Sequence, residues 1–404
     1  MSRPLRPLDP FPAAPPPPSN VLPLRTNVGD APLPVRWGAA TARERGPLVS
    51  GPEAARNALG TPAGAFAPYR ALALATGRLD PRHRHDHAGT EPVVPIGPFP
   101  AWSRPGAIET LDPFGHVAAT AFAPEIARGL RIRPTIAVAK GELRMGEIAE
   151  ALRERRLRAD GAVLTAAGAI RVTKIAIEPA WHLPGVARRL GIAEADLRAA
   201  LAAECRSPEI AERTDLSVFL PPIGGASVYL FGDPAKLGDP AAHVTARLHD
   251  ECNGSDVFGS DLCTCRPYLA HGVEECARGA QAGGIGVLVY HRKEGRALGE
   301  VVKYLVYNAR PRVGTGDRPE NYFDRTRAVA GVEDMRFQSL GTDPFHWLGV
   351  ARIDRWVSMS DTKSEAVRAA GIAIGEQVAI PDALVPAHAH VEIAAKRAAG
   401  YYPG

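Results

Sequence analysis

The sequence predicts a mixed α/β fold, in which a C-terminal α/β domain follows a smaller α+β module and a Pro-rich lead. Strand-like and helix-like segments alternate from Ser227 onward. A smaller α+β module covers about 131–205, and a Pro-rich lead opens the chain. We therefore predict a disordered lead at 1–30, an N-terminal α+β region of unassigned role at 31–222 and a C-terminal catalytic domain at 223–404.

The lead contains the run Pro15–Pro18 with further prolines on both sides. Proline removes backbone N–H groups and fixes φ, so this composition is typical of a disordered or polyproline segment. It is too rich in proline for the apolar region of a signal peptide, and no stretch approaches the roughly 20 apolar residues of a membrane span. We expect a cytoplasmic protein that does not interact with membranes.

Hydrophobic periodicity defines the elements of the N-terminal region. The stretch 142–157 places leucine and isoleucine among Glu and Arg at helical spacing, whereas the shorter apolar runs favour strands. The predicted elements are strands at 91–96 and 136–139, a helix within 142–157, a hairpin at 162–172, and helices near 185–190 and 194–205.

The C-terminal domain follows a Pro/Gly cluster at Pro221–Pro222, where we place the boundary. Its strands alternate with helices, which is the pattern of an α/β sheet. The predicted elements are strands at 227–232, 244–249 and 286–290, and helices at 268–282, 298–308 and 363–370.

The charge balance excludes one class of partner. The chain has 48 Lys and Arg against 44 Asp and Glu, a net charge of +4, which is too balanced to indicate nucleic-acid binding. The hydrophobic fraction of 45% and the charged fraction of 23% are ordinary for a globular protein.

Three of the five cysteines lie close together: Cys252, Cys263 and Cys265. Three protein ligands with an open position are typical of catalytic zinc, because the open position holds water whose pKa falls to roughly 7. Two other interpretations stay open at this point. Either His249 or His271 completes a structural site, or the cysteines are ordinary buried thiols.

Several other residues can be assigned a role from the sequence. Glu251 precedes Cys252 and is the nearest candidate for a proton acceptor. Cys205 and Cys276 are expected to be core thiols, and Trp347 and Trp356 are expected to pack in the core.

The local sequence resembles the GTP cyclohydrolase II family. Its zinc motif resembles Arg247–Cys252 together with Cys263–Cys265. The other matching pieces follow in the family's order: Val289–Arg296, Tyr307, Asp334-Met335-Arg336, Leu348-Gly349-Val350, Ser358, Lys363 and Ala370-Gly371-Ile372. The resemblance covers about 240–380.

The resemblance implies a zinc hydrolase that opens the heterocycle of a nucleotide. It implies one Zn²⁺ per chain held by three cysteines plus water, Mg²⁺ accompanying the nucleotide phosphates, and a homodimer. It gives as metal ligands Cys252, Cys263 and Cys265; as catalytic residues Tyr307, Asp334, Arg336 and Glu251; and as substrate-binding residues Arg247, Glu251, Tyr268, Lys293, Glu294, Arg296, Ser358 and Lys363.

The chemistry of these side chains agrees with such roles. The cations Arg296, Arg336 and Lys363 suit phosphate oxygens. Glu294 can accept hydrogen bonds from a ring N–H, and Tyr307 can donate to a developing oxyanion. The family's arginine is described as a nucleophile toward phosphorus, but a guanidinium with a pKa above 12 is a poor nucleophile. Both a nucleophile and an electrostatic clamp stay open for Arg336.

The sequence departs from the GTP-specific enzymes on the base side. Tyr268 and Lys293 stand where the family has glutamine, and Arg312–Asp317 is unlike the usual segment. The segments 173–181 and 183–186 resemble the N-terminal half of cyclohydrolase-like proteins of uracil catabolism. The favoured hypothesis is ring opening of a uridine nucleotide (UMP or UTP). The alternatives are a GTP cyclohydrolase II of riboflavin synthesis and an inactive zinc protein that binds nucleotides.

Overall fold

The computed structural model describes residues 31–51, 53–61, 63–260, 263–309, 322–384 and 394. The predicted lead at 1–30 and the segment Arg312–Asp317 lie outside the described residues. The described strands are β1 (Ala58–Gly60), β2 (Ile136–Leu143), β3 (Ile170–Ile177), β4 (Trp181–His182), β5 (Val218–Leu220), β6 (Ala226–Phe231), β7 (Val244–Asp250), β8 (Ile285–His291), β9 (Arg352–Val357) and β10 (Ala373–Val378).

The described α-helices vary from single turns to one long helix in the C-terminal domain. They are α1 (Ala42–Arg45), α2 (Ala67–Ala75), α3 (Ala118–Ala121), α4 (Ala123–Ala127), α5 (Gly146–Arg153), α6 (Leu183–Leu190), α7 (Glu194–Glu204), α8 (Glu209–Glu212), α9 (Asn253–Asp256), α10 (Cys265–Gln281), α11 (Glu300–Asn308), α12 (Tyr322–Ala330), α13 (Asp343–Trp347) and α14 (Asp361–Ala369). Among these helices none has the length and apolar character needed to cross a membrane.

Seven of the described strands form one mixed sheet in the order β10-β9-β7-β8-β6-β3-β2. Strands β10, β9, β7 and β8 are parallel, whereas β6, β3 and β2 are antiparallel to their neighbours. A smaller sheet has the order β1-β5-β4. The architecture confirms the predicted mixed α/β class.

Burial explains why the central strands were predictable. Every residue of β7 is buried, and β8 is buried along almost its whole length, because helix α10 packs across both. Burial on both faces gives β8 an almost continuous apolar run, whereas β7 alternates Val244, Ala246 and Leu248 with polar residues, the period of a strand. In contrast, β2 has exposed residues over much of its length, since it is the edge strand.

One of the predicted N-terminal elements is wrong, and another is shorter than predicted. In the described structure 91–96 is not a strand, because Pro92 and Pro95 have no N–H to donate, and its link to the sheet is a hydrogen bond from Val93 N to Val138 O at 3.3 Å. The hairpin at 162–172 is reduced to a single bridge between Leu164 and Ile170. The carboxylate of Asp160 accepts the N–H groups that precede this bridge, so they are held in a loop.

The large sheet crosses the predicted boundary near Pro221–Pro222. Strand β3 of the N-terminal region pairs with β6 of the C-terminal domain along the register from Val172 opposite Phe231. Trp102 also donates from Nε1 to the backbone oxygen of Trp347 at 2.8 Å, and the two indole rings stack 6.1 Å apart. The N-terminal region is therefore packed against the domain that carries the cysteine motif. The division at residue 222 stays a prediction.

The core contains the predicted tryptophans. Trp347 and Trp356 are fully buried, and Cys276 is buried as expected. Cys205 is exposed, so its prediction as a core thiol is wrong. It follows the last residue of α7, a helix of which most residues face solvent.

Candidate active site

Three parallel strands end at the same edge of the large sheet, and the predicted site residues follow them. Strand β7 continues into Glu251 and Cys252, β8 into Lys293 and Glu294, and β9 into Ser358. Ligands bind at the carboxyl edge of parallel strands, because loops from several strands converge there. The topology therefore brings together residues that are far apart in sequence.

The three cysteines of the motif form a cluster. The sulfur atoms of Cys252, Cys263 and Cys265 lie within 4.8 Å of one another, and Sγ of Cys252 is 3.2 Å from Sγ of Cys263. Cys252 precedes α9, Cys265 is the first residue of α10, and Cys263 lies two residues before that helix. Hydrogen bonds from the neighbouring thiols lower the pKa of Cys263 below its ordinary value. Three converging sulfur donors have the chemistry of a zinc site.

The two histidines considered as a fourth ligand lie outside the cysteine cluster. Nε2 of His249 lies 3.2 Å from the carboxylate of Asp256, and His271 lines a different cavity beside α10. Asp256 also accepts the backbone N–H of Cys252 and the hydroxyl of Tyr290, each at 2.9 Å. The sequence analysis missed this carboxylate, which fixes the loop that begins at Cys252.

Lys303 is a second residue that the sequence analysis missed. Its Nζ atom donates to Sγ of Cys252 at 2.7 Å and to Oε1 of Glu294 at 2.8 Å. The other oxygen of Glu294 accepts the N–H of Asn253 at 2.5 Å, which ties the loop after β8 to the cysteine loop. Lys303 lies one turn before Tyr307 on α11, so its i, i+4 spacing from a predicted catalytic residue is the sequence feature that could have identified it.

A cavity of about 100 Å³, the cysteine pocket, surrounds the sulfur cluster. Tyr307 is buried and packs against Cys252 and Cys263. Glu251 lines the same pocket, and burial raises its pKa above the ordinary value although Arg292 lies 3.9 Å away. The pocket thus combines a cluster of three sulfur donors, a carboxylate and a phenol.

Arg336 is held between two carboxylates. Its Nε atom donates to Asp334 at 2.9 Å, and its Nη1 atom donates to Asp250 at 3.0 Å. Burial acts to lower the pKa of Arg336, but these two carboxylates raise it above its ordinary value. The side chain is therefore a fixed cation at the wall of the cysteine pocket.

A second cavity of about 110 Å³, the cation pocket, adjoins the first and shares Asp250, Cys265 and Arg336 with it. Lys363 is buried in its wall, 2.7 Å from Asp250 and 3.1 Å from the backbone oxygen of Leu248. Burial lowers the pKa of Lys363 to about 8, although Asp250 opposes the change.

The other predicted residues of the cation pocket are Arg247, Tyr268 and Ser358. The guanidinium of Arg247 lies 5.6 Å from the centre of the Tyr268 ring and donates to the backbone oxygen of Val357 at 2.9 Å. The Tyr268 hydroxyl points toward Sδ of Met359, 3.8 Å away. Tyr268 therefore forms part of the pocket wall.

Three buried polar atoms in this wall have no hydrogen-bond partner among the described residues. They are Nε of Arg247, Oδ1 of Asp250 and Oγ1 of Thr264. Buried polar groups are nearly always paired, with protein or with water or a ligand. Water or a polar ligand in the cation pocket satisfies such atoms.

The loop after β8 carries the remaining predicted residues. Gly295, Arg296 and Ala297 have φ values of 60°, 59° and 63°, a left-handed turn that costs roughly 1–2 kcal/mol for each non-glycine residue. Arg296 lines the cysteine pocket, with its guanidinium 5.2 Å from the ring of Phe323. Lys293 lies in a neighbouring cleft, where its Nζ atom is 3.4 Å from the backbone oxygen of Arg336.

Two family models match the chain. Residues 225–379 match the model described as GTP cyclohydrolase II, and residues 22–204 match the model described as GTP cyclohydrolase N terminal. The first match contains both pockets, and the second contains the predicted α+β module.

Relatives of two kinds are similar to the chain. "Uracil-regulated protein 1" of Schizosaccharomyces pombe is 49% identical over 378 residues, which cover 92% of this chain and 86% of that protein. "Putative GTP cyclohydrolase URC1" of Lachancea kluyveri is 47% identical over 381 residues, covering 92% and 85%. "GTP cyclohydrolase-2" of Haemophilus influenzae is 31% identical over 149 residues, covering 37% and 62%.

Proposed function

Because the chain belongs to the GTP cyclohydrolase II family, in the branch that contains the uracil-regulated relatives, we propose that it is a zinc-dependent enzyme that opens the pyrimidine ring of a uridine nucleotide. The chain is a cyclohydrolase, an enzyme that acts on ring C–N bonds. One observation carries the proposal: the cysteine cluster shares its pocket with Glu251, Tyr307 and Arg336.

The donor set of the cysteine cluster fits zinc. Thiolates are preferred zinc ligands, and three of them from Cys252, Cys263 and Cys265 leave one position for water. When bound, the ion supplies Lewis acidity and makes a water molecule acidic enough to attack at neutral pH. One ion per chain is part of the proposal, and Mg²⁺ with the nucleotide phosphates stays a prediction.

In the proposed reaction Glu251 transfers a proton and Tyr307 donates a hydrogen bond. Water adds to a ring carbonyl carbon while Glu251 accepts its proton, and Glu251 then returns the proton to the ring nitrogen as the C–N bond breaks. Tyr307 donates a hydrogen bond to the carbonyl oxygen as negative charge develops there. The product keeps every atom of the nucleotide plus one water. Formate is not released, because uracil lacks the imidazole carbon that guanine loses.

The cations bind the phosphate end. Arg336 stays charged between Asp334 and Asp250, so we assign it as an electrostatic clamp and not as a nucleophile, which would need a neutral guanidine. Lys363 and Arg247 add positive charge in the cation pocket. The unpaired hydroxyl of Thr264, in the same wall, can donate to a phosphate oxygen.

The departures from the GTP-specific enzymes support a nucleotide other than GTP. Tyr268 and Lys293 both stand where those enzymes use a glutamine, so a side chain that can both donate to and accept from guanine is absent at these two positions. The similarity to the uracil-regulated relative extends over 92% of the chain. GTP is the second candidate substrate, because the similarity to the Haemophilus influenzae enzyme covers the catalytic half.

The test compares UMP, UTP and GTP with the zinc-loaded protein, following the absorbance of each base near its maximum. Loss of the uracil absorbance without formate release is the expected result. Release of formate and pyrophosphate from GTP, with uridine nucleotides unchanged, would establish the second candidate instead. A parallel sample of Tyr307→Phe, which keeps the cysteines, reports turnover by any contaminating enzyme.

A further inference from the structure

A cleft of about 680 Å³, the interdomain cleft, adjoins the cysteine pocket and shares Glu251 and Arg336 with it. Residues of the N-terminal region, among them Thr110 and Trp181, form its other wall. Small-molecule sites usually have 300–1,000 Å³, so the cleft is in this range while the cysteine and cation pockets are each below it. A whole nucleotide therefore needs space beyond those two pockets.

Hydrogen bonds fix the N-terminal wall to the C-terminal domain. Asp343, the first residue of α13, accepts the backbone N–H groups of Glu109 and Thr110 at 2.7 Å each and the Thr110 hydroxyl at 2.8 Å. The backbone oxygen of Thr110 accepts the N–H of Ala180 at 3.1 Å, next to Trp181. The wall of the cleft is thus preformed, which lowers the entropic cost of binding.

The lining of the cleft separates apolar from charged groups. Trp181 is half-buried, with its ring edge-to-face against Phe219 at 6.3 Å, and Phe337 is 61% exposed. Lys293 and Arg336 supply charge where the cleft meets the cysteine pocket. The base is the flat, least polar part of a nucleotide, so one of its faces suits the apolar wall while its edge meets Glu251, which the cleft shares with the cysteine pocket.

We propose that the N-terminal region is part of the substrate site, and that Trp181 contacts the nucleobase within the interdomain cleft. This rests on the proposed function, which supplies a uridine nucleotide as the ligand. The segment 173–181, which resembles the uracil-catabolism proteins, then contributes to base selection, because it ends at Trp181 in the wall of the cleft.

The first test uses Trp181→Ala and Trp181→Phe, with Tyr69→Ala as a control at an aromatic residue that is 70% exposed on α2. Calorimetry measures binding of UMP and of ribose 5-phosphate, which lacks the base. We expect Trp181→Ala to weaken UMP binding about tenfold and leave ribose 5-phosphate unchanged, while Trp181→Phe retains most of the affinity. A UMP affinity within twofold of the wild type, or an equal loss for ribose 5-phosphate, overturns the proposal.

The second test needs no substitution, because exposed Cys205 lines the same cleft. Alkylation of Cys205 in the wild-type protein is followed by mass spectrometry. Saturating UMP should slow it at least tenfold, and ribose 5-phosphate should not. Unchanged alkylation while calorimetry shows bound UMP overturns the proposal. Ring opening is assayed separately, so a protein that binds UMP in the cleft without opening its ring refutes the proposed function alone.

Discussion

The ammonium group of Lys303 lies 2.7 Å from Sγ of Cys252 and 2.8 Å from the carboxylate of Glu294. Three thiolates around a divalent cation leave an excess negative charge, which a neighbouring ammonium group offsets. Because Glu294 also accepts the N–H of Asn253, the lysine links the loop after β8 to the loop that carries Cys252. Lys303 therefore fixes the position of the Cys252 sulfur, and in the proposed zinc site it would offset part of the thiolate charge.

Lys303→Met is expected to weaken zinc binding about 10- to 100-fold, the usual cost of losing a partner of a metal ligand. Lys303→Arg keeps the positive charge and should lose less. Lys236→Met, at a lysine that donates to the backbone of Gly283, is the control. Competition with a chromophoric chelator gives the affinities. Wild-type affinity in Lys303→Met would show that the contact has no role in metal binding.

Cys263→Ser should abolish stoichiometric zinc binding and ring opening together, because a serine hydroxyl is a much weaker zinc ligand than a thiolate. Cys205→Ser, at an exposed cysteine outside the cluster, should retain the zinc. Zinc content is measured by elemental analysis of the dialysed proteins. A full equivalent of zinc in Cys263→Ser is incompatible with the three-cysteine site.

Tyr307→Phe should lower kcat about 10²- to 10³-fold, the usual effect of removing one donor to a developing oxyanion. The phenylalanine ring keeps the packing against Cys252 and Cys263, so zinc content should not change. Tyr304→Phe is a matched control on the same helix, since its hydroxyl bonds Glu300 at 2.9 Å. Steady-state kinetics with UMP provides the comparison. Equal kcat values in the two variants would remove Tyr307 from the mechanism.

The parts of the fold that the sequence predicted are those whose pattern reflects burial. Strand β8 is apolar over almost its whole length because both faces are covered, and β7 alternates apolar Val244, Ala246 and Leu248 with polar residues. The strand predicted at 91–96 does not form because Pro92 and Pro95 have no N–H to donate. The hairpin at 162–172 is short because the Asp160 carboxylate accepts the N–H groups at 162–164, and such competition is not visible in hydrophobic periodicity.

The candidate site also contains residues that the sequence located and residues that it could not locate. The sequence located the cysteines because the spacing of Cys252, Cys263 and Cys265 is itself a signal, and the structure brings their sulfur atoms together. It could not locate Asp256 or Lys303, because each acts through contacts with a loop or strand that only the tertiary fold supplies. The unpaired atoms of the cation pocket likewise have no counterpart in the sequence.

Stability should fall in acid partly through His116. Its ring is buried between Trp102 and Trp347, and burial lowers its pKa to about 4. Between pH 6.5 and 4 the unfolded chain binds a proton that the folded chain does not, so the free energy of unfolding decreases as pH falls, by roughly 3 kcal/mol in total for this residue.

His116→Gln should reduce that pH dependence by about 1.4 kcal/mol per pH unit. Buried His346, whose pKa is also lowered to about 4, continues to contribute in this variant. Denaturant unfolding at pH values from 7 to 4.5 measures the slope. Parallel stability curves for wild type and variant would contradict the assignment to His116.

Nucleotide binding should weaken as pH rises above 8, because Lys363 then loses its charge. Burial lowers the pKa of this lysine to about 8, with Asp250 acting to raise it and Arg336 and Arg247 acting to lower it further. Below pH 8 the ammonium group attracts phosphate, and above pH 8 affinity for UMP should decrease toward tenfold per pH unit. Lys363→Met should bind more weakly at pH 7 and show a flatter profile between pH 7 and 9. Titration of UMP itself affects both proteins equally, so the ratio of their Kd values isolates the lysine. A ratio that stays constant over this range would mean that Lys363 does not titrate in contact with the phosphates.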